Sequence, residues 1–361
     1  MIIFTCIISF FFAMNIGASG AAATMGISYG SGAIDKKRIA LLLCACCILL
    51  GALFGDEVAK TLGNGIIPEN LISIKIALII LISASSSLFI ANLLGIPLST
   101  SEVTVGAVVG VGIAYQSLFI PSIIIIVLSW ILVPLLAFII SYLSNYWVKK
   151  LEKKTSIFPA KTKNTFLTTL VILTGLFEAF SAGMNNVANA IGPLIASGIF
   201  SIDVGLVVGG IFVALGAFLL GGKVMETNGK KITELSLLQG STISAIGGTL
   251  VTISSIFGIP IPQTQITTCS ILGIGFSEKG KAIWKKDIIQ RILKIWLISP
   301  IFSLVFSYTV VKIFLMGDQY SVAIVLCVFV LTVGIVSYLK PFKTKSNVLY
   351  KEIKVGGIEN D

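Results

Sequence analysis

The sequence predicts an all-α polytopic membrane protein: two inverted-topology repeats of about five spans each, an extra C-terminal span, and helices broken at the midplane. Three observations predict it: the composition, an internal duplication, and a reversal of loop charge between the two halves. Of 361 residues, 56% are apolar and 12% charged, and the mean hydropathy is +1.02, far more apolar than a soluble surface tolerates. A hydrocarbon core about 30 Å thick takes roughly 20 apolar residues per helix, and nearly the whole chain divides into such runs. Runs of that length satisfy their own backbone as helices rather than as the short alternating strands of a barrel.

The same composition excludes several function classes. With no histidine, the chain cannot build a Ser-His-Asp or Cys-His nucleophile, a His-ligated zinc site or an imidazole shuttle, so it reads as no enzyme, with no cofactor and no metal. The nearest approach to a phosphate loop is Gly221-Gly222-Lys223-Val224, which lacks the required spacing. The net charge of +10, from 26 Lys and Arg against 16 Asp and Glu, gathers in polar connections beside apolar spans. That pattern marks cytoplasmic loops facing anionic lipid, not nucleic-acid binding. The six cysteines, Cys6, Cys44, Cys46, Cys47, Cys269 and Cys327, lie in apolar stretches, where a thiol acts as a small hydrophobe.

The duplication appears in two motifs. Asn15-Ile16-Gly17-Ala18-Ser19-Gly20-Ala21-Ala22-Ala23 aligns with Ser181-Ala182-Gly183-Met184-Asn185-Asn186-Val187-Ala188-Asn189 at an offset of 166. Gly95-Ile96-Pro97-Leu98-Ser99-Thr100-Ser101-Glu102 aligns with Gly258-Ile259-Pro260-Ile261-Pro262-Gln263-Thr264-Gln265 at an offset of 163. Because its motif recurs, the apolar start Met1 to Ala23 is read as mature structure, although it imitates a cleavable leader; it also lacks a basic n-region.

Loop charge sets the orientation. Asp35-Lys36-Lys37-Arg38 is basic where its counterpart around Asp203 is acidic. Asp56, Glu57, Lys60, Glu69 and Lys75 sum to minus one, whereas Lys223, Glu226, Lys230, Lys231 and Glu234 sum to plus one. The uncharged turn Leu118-Phe119-Ile120-Pro121 answers to a loop with Lys279, Lys281, Lys285 and Lys286. Three reversals under the positive-inside rule place the repeats upside down relative to one another.

Repeat one (1–147) takes spans at 2–33, as one long interrupted helix, then 39–54, 72–94, 102–115 and 121–147. A basic linker (148–163) follows. Repeat two (164–315) takes 164–199, 204–221, 235–257, 264–276 and 290–315, and an extra span at 319–339 leads to a basic tail within 316–361. Linker and tail then face the cytoplasm of a plasma-membrane protein. The short fourth segments and the overlong first one predict broken or re-entrant helices.

Gly- and Pro-interrupted segments at matching places point to a midplane substrate site, because broken helices expose N–H groups and the positive end of the dipole. Around these breaks stand neutral donors: Ser19, Asn185, Asn186, Asn189, Ser99, Thr100, Ser101, Gln263, Thr264 and Gln265. No lysine or arginine accompanies them, which suits a small oxyanion that must also be released. The competing reading of such residues is close helix packing, but three asparagines within five residues are expensive for packing alone. Glu102 and Glu178 also lie at membrane depth and are candidates for proton coupling or for lining a cation site.

The two motifs resemble those of the inorganic phosphate transporter (PiT) family, whose duplicated signature is G-A-N-D-V-A-N paired with a G-[IL]-P-x-S-T-T element. Gly183-Met184-Asn185-Asn186-Val187-Ala188-Asn189 is a close match, and the resemblance covers both repeats. It implies a cation-coupled symporter of tetrahedral oxyanions, with anion and cation roles carried onto Ser19, Asn185, Asn189, Ser99, Thr100, Gln263 and Thr264. Both signature aspartates are missing, since Gly20 and Asn186 stand in their places. The first motif also has Ser19 and Ala23 where the family has asparagines, and Pro262-Gln263 replaces the second Ser-Thr.

Hydrogen phosphate keeps a proton and wants an acceptor, whereas sulfate wants donors only, so the losses move the site toward sulfate. They also remove the expected sodium ligands, which leaves H+ as the expected coupling cation. The Asn15 to Ala23 string resembles the bacterial sulfate permease branch of the family. The expected partners are therefore sulfate or a related tetrahedral oxyanion, a coupling cation, the lipid bilayer and, as a further option, a second copy in a homodimer. The alternatives are a sodium- or proton-coupled phosphate symporter and, from another class, an oxyanion channel or sensing scaffold.

Overall fold

The computed structural model describes residues 1–94, 98–155, 160–222, 225, 235–280 and 287–318, with isolated positions between 320 and 330. Gly95 to Pro97, the charges of the 223–234 and 281–286 loops, most of the expected span at 319–339 and the basic tail lie outside the described residues.

In the first half the helices are α1 (Ile2–Gly30), α2 (Lys37–Ala52), α3 (Asp56–Lys60), α4 (Ile74–Leu94), α5 (Thr100–Ala114) and α6 (Ile120–Thr155). The second half holds α7 (Ala160–Ala196), α8 (Ile202–Leu220), α9 (Leu237–Ile256), α10 (Gln263–Lys279) and α11 (Asp287–Val311). No strand occurs among the described residues.

Six stretches there are long and apolar enough to cross a membrane: Ile2–Gly30, Ile120–Lys154, Thr165–Ala196, Ile202–Leu220, Leu237–Ile256 and Ile298–Met316. A seventh is formed if α2 and the stretch Asp56–Gly65, bent by 69°, count together. The chain is a multi-pass membrane protein. Of the eleven segments expected from sequence, the last lies largely outside the described residues, and the other ten become six or seven full-length crossings plus shorter helices, among them α5 and α10.

Two local features differ from expectation. The first span is not interrupted: α1 runs unbroken for 29 residues, about 43 Å. Glycine weakens a helix but keeps its N–H, and Gly17 sits where tertiary packing offsets that cost. The break instead falls where protons are missing from the backbone. After α9, Gly258 adopts a left-handed φ of +68°, and Pro260 and Pro262 cannot donate, so a new helix starts only at Gln263. Secondly, the charged stretch after α2 is helical: Asp56 and Glu57 occupy the first turn of α3, and both pair with Lys60, at 3.0 and 2.6 Å.

Helices cross between the halves reciprocally. A Cβ on Gly17 would lie 1.9 Å from Val213 O, and one on Gly183 would lie 2.1 Å from Ile48 O. Likewise Gly216 meets Met14 O at 2.0 Å and Gly51 meets Phe180 O at 1.8 Å. So α1 packs on α8, and its counterpart α7 packs on α2, through the same positions of the repeat. The second motif repeats the exchange: Gly110 of α5 lies against Leu304 and Ser307 of α11, and Gly273 of α10 against Phe138 and Ser141 of α6. Each contact has its counterpart at the equivalent positions of the other half.

Candidate functional site

The four motifs expected to form the site converge between α1, α5, α7 and α10. Ser19, Gly20, Ser99, Thr100, Asn186, Gln263 and Thr264 line one small cavity. Two helix N-termini open onto it. Ser99 caps α5, its Oγ accepting the Glu102 N–H at 3.2 Å, and the start of α10 is held by its own break, Gln263 N–H donating to Ile261 O at 3.0 Å and Gln265 N–H to Pro262 O at 2.9 Å, so it is the positive ends of both helix dipoles that face the cavity. No charged side chain lines the cavity.

Behind the lining runs a chain of hydrogen bonds with one direction. Gln263 Nε2 donates to the main-chain oxygen of Glu178 at 3.3 Å, an atom that can only accept. Gln263 Oε1 therefore accepts from Asn186 Nδ2 at 2.7 Å, and Asn186 Oδ1 accepts from Thr100 Oγ1 at 3.0 Å. Thr100 and Gln263 are equivalent positions of the two repeats, so the Asn186 amide bridges the halves and uses both of its ends to do so.

Asn185 and Asn189 fasten the breaks rather than line the cavity. Asn185 Nδ2 donates to Ser255 Oγ at 2.9 Å and to Ile259 O at 3.1 Å, and its Oδ1 accepts the Ile261 N–H at 3.2 Å. It thereby clamps the segment between α9 and α10, whose prolines leave carbonyls without helical partners. Its counterpart Ser19 does the same work in the other half, donating to Leu98 O at 3.1 Å. Asn189 Nδ2 reaches Thr100 Oγ1 at 3.3 Å and Ser101 Oγ at 3.4 Å.

Two buried atoms remain without partners at the site: Thr264 Oγ1 and Asn189 Oδ1. A buried hydroxyl without a partner is costly, and Thr264 lines the cavity, so a bound ligand is the natural partner for it. The side-chain donors of Ser19, Thr100, Asn186 and Gln263 are taken by protein acceptors, so the Thr264 hydroxyl and the positive ends of the two helices are what face a small anion, with no ionised group in the lining; no cluster of metal ligands occurs among the described residues.

The two acids are buried on either side of this chain. Glu102 Oε1 accepts from Gln265 Nε2, and Glu178 Oε1 accepts from Thr267 Oγ1 at 2.7 Å. The second oxygen of each is unpartnered. Glu178 packs against Gly247, where a Cβ would lie 2.6 Å from its Oε1. Sequence reasoning missed Thr267 and Ser255. The signal for Thr267 was its equivalence to Thr104, since both donate back one turn, to Gln263 O at 3.2 Å and to Thr100 O at 2.9 Å. Ser255 carried no such mark.

The profile of the phosphate transporter family matches residues 16–307. The chain is 51% identical to the sulfate permease CysP of Bacillus subtilis (strain 168), over 95% of this chain and 97% of that protein. It is 30% identical to a putative phosphate permease of Pyrococcus furiosus, over 83% of this chain and 92% of the relative. A solved structure, the sodium-dependent phosphate transporter, superposes with a TM-score of 0.75 at 27% identity, covering 87% of this chain and 99% of the other. By motif, by fold and by likeness along nearly its whole length, the chain belongs to the phosphate transporter family.

Proposed function

We propose that this chain is a secondary active transporter that imports sulfate across the plasma membrane by proton symport, through two repeats of inverted topology. The observation that carries the substrate is the cavity lining: hydroxyls, carboxamides and helix N-termini, with Gly20 and Asn186 where the family signature has aspartates. A dianion with no proton of its own needs donors and is repelled by a carboxylate. The name of the Bacillus subtilis relative agrees with this reading.

Coupling follows from electrostatics. Moving one charge against 100 mV costs about 2.3 kcal/mol, so an uncoupled dianion faces roughly 4.6 kcal/mol. Two or more cations per sulfate cancel that charge. Glu102 and Glu178 are the acids placed beside the anion chain, and each keeps one oxygen free to hold a proton. The lysines of α6 and of the start of α7, together with the basic tail, put the linker and the C-terminus in the cytoplasm under the positive-inside rule.

The test is radiolabelled uptake into proteoliposomes of the purified chain, comparing sulfate with phosphate under an imposed pH gradient and then under a sodium gradient at fixed potential. Sulfate accumulation driven by pH supports the reading. Sodium-driven phosphate uptake sinks it and returns the site to the family's phosphate pattern, and strictly downhill flux identifies a channel.

A further inference from the structure

The two ends of the helix bundle are closed by different chemistry at equivalent positions. At the last turn of α10, one oxygen of Glu278 gathers three donors: Asn145 Nδ2 at 2.9 Å, Gln239 Nε2 at 3.1 Å and Lys149 Nζ at 3.0 Å. Gln239 Nε2 also donates to Asn145 Oδ1 at 3.0 Å, and its Oε1 accepts the Ser236 N–H at 3.0 Å. Ser236 in turn donates to Glu152. Asn145 and Gln239 are buried. The ends of α6, α9 and α10 are thus tied by a paired polar network.

The register of the repeats assigns each member a counterpart at the opposite end. Ser236 and Ser73 fix it, since each accepts the N–H three residues on, from Gln239 at 3.1 Å and from Ile76 at 3.4 Å. The Gly110 and Gly273 contacts fix the rest. Asn145 answers to Val311, Lys149 to Leu315, Gln239 to Ile76 and Glu278 to Tyr115. All four counterparts are apolar or aromatic: Ile76 and Val311 are buried in the main apolar core, and Tyr115 and Leu315 pack against it. At these four equivalent positions one end carries an ion pair with amides and the other apolar and aromatic side chains, the Lys312–Asp318 pair at 3.5 Å standing outside the set.

We propose that Asn145, Lys149, Gln239 and Glu278 form the gate at the cytoplasmic end of the transport path, a latch that holds α10 against α6 and α9. This inference rests on the transport reading above and on its placement of the linker in the cytoplasm. The chemistry sets the behaviour of each end. A protein hydrogen bond can be exchanged for one to water at small net cost, so the polar junction parts and hydrates readily. Parting the apolar junction exposes hydrocarbon. Helix α10 carries Gln263 and Thr264 of the anion site at its start and Glu278 at its end, so releasing the latch frees the helix that holds the substrate.

The experiment uses the full chain with its six cysteines replaced and a single cysteine introduced by Ser270→Cys, a buried position of α10 between the site and the latch. A membrane-impermeant maleimide is applied to inverted and to right-side-out vesicles. Glu278→Gln is expected to raise labelling about tenfold in inverted vesicles, from the loss of charge-assisted bonds, with no change in right-side-out ones. The mirror set Asn145→Val, Lys149→Leu, Gln239→Ile and Glu278→Tyr is expected to lower it. Should that fourfold variant fail to fold, Gln239→Ile alone, which deletes the amide from the latch, must raise labelling as Glu278→Gln does. Unchanged labelling overturns the proposal, and so does an equal rise from both faces, which means general loosening. Because labelling needs no transport, a chain that gates in this way but takes up no sulfate sinks the transport reading alone.

Discussion

Gln265 donates a hydrogen bond to Glu102, and the two residues occupy equivalent positions of the two repeats, 163 apart. This contact between equivalents brings the first turns of α5 and α10 face to face. Here the repeats therefore meet through one acid and one amide, so an otherwise matched pair holds a single carboxyl.

That pairing gives the first prediction. Glu102→Gln removes the titrating group but leaves two amides able to bond, so the fold and the anion cavity should survive. If Glu102 carries a coupled proton, uptake driven by a pH gradient is lost while sulfate–sulfate exchange across the membrane persists. Adding Gln265→Glu restores an acid at the equivalent position and should recover part of the pH-driven flux, measured in the same proteoliposomes. Glu178→Gln in parallel tells which acid couples. If both variants keep full pH-driven uptake, neither acid is the carrier.

Asn186→Asp tests the anion site itself. The new carboxylate can still accept from Thr100, but it cannot donate to Gln263 Oε1, so Gln263 must turn over and abandon Glu178 O. The charge also faces a cavity that otherwise has no ionised group in its lining. Sulfate affinity should fall by about 10- to 100-fold, the effect of one charged or badly paired group in a buried site, with phosphate favoured relative to sulfate. Calorimetric titration of the detergent-solubilised protein checks both ligands, and equal affinities before and after the change would detach Asn186 from the site.

Much of this was legible in the residues. The duplicated motifs named the helices that converge, and Ser19, Ser99, Thr100, Asn186, Gln263 and Thr264 line the cavity between them, whereas Asn185, Ser101 and Gln265 do not. What could not be read was which of them bond to protein and which face the ligand. Asn185 looks like a ligand-binding residue from its neighbours, yet its amide is occupied by Ser255, Ile259 and Ile261, because the two prolines of that break create a local need for partners. The uninterrupted α1 was hidden for a related reason. Gly17 reads as a breaker in isolation, and only the backbone of α8 lying against it shows that the small residue serves close approach.

Helix contact gives the third prediction. Gly51→Ala and Gly216→Ala should each destabilise the protein by about 1–3 kcal/mol, the usual cost of overpacking, because the added methyl carbon would lie 1.8 Å from Phe180 O and 2.0 Å from Met14 O. Equal losses in thermal melting are expected, since the two contacts are mirror images. Gly20→Ala is the contrast: the nearest atom is Ile48 Cδ1 at 3.9 Å, so melting should hold while sulfate binding weakens, the methyl group entering the cavity. A loss of stability there equal to the other two would show that Gly20 is a packing residue.

The last prediction concerns pH at the far end of α10. The Asn145 hydrogen bond, helped by Lys149, holds the Glu278 carboxyl below the usual carboxylate range. A group whose value is depressed in the folded protein contributes stability that is complete above its unfolded value, near pH 4.3, and is lost as the pH falls through the folded one. The junction of α6, α9 and α10 should therefore be insensitive to pH across the neutral range and loosen only as the pH falls below the usual carboxylate range. Hydrogen exchange of the 236–240 amides, followed from pH 7 downward after correction for the intrinsic rate, reads that loosening directly. In Glu278→Gln the same amides should exchange fast at every pH. A transition centred near neutrality would mean that another group governs this end of the helix.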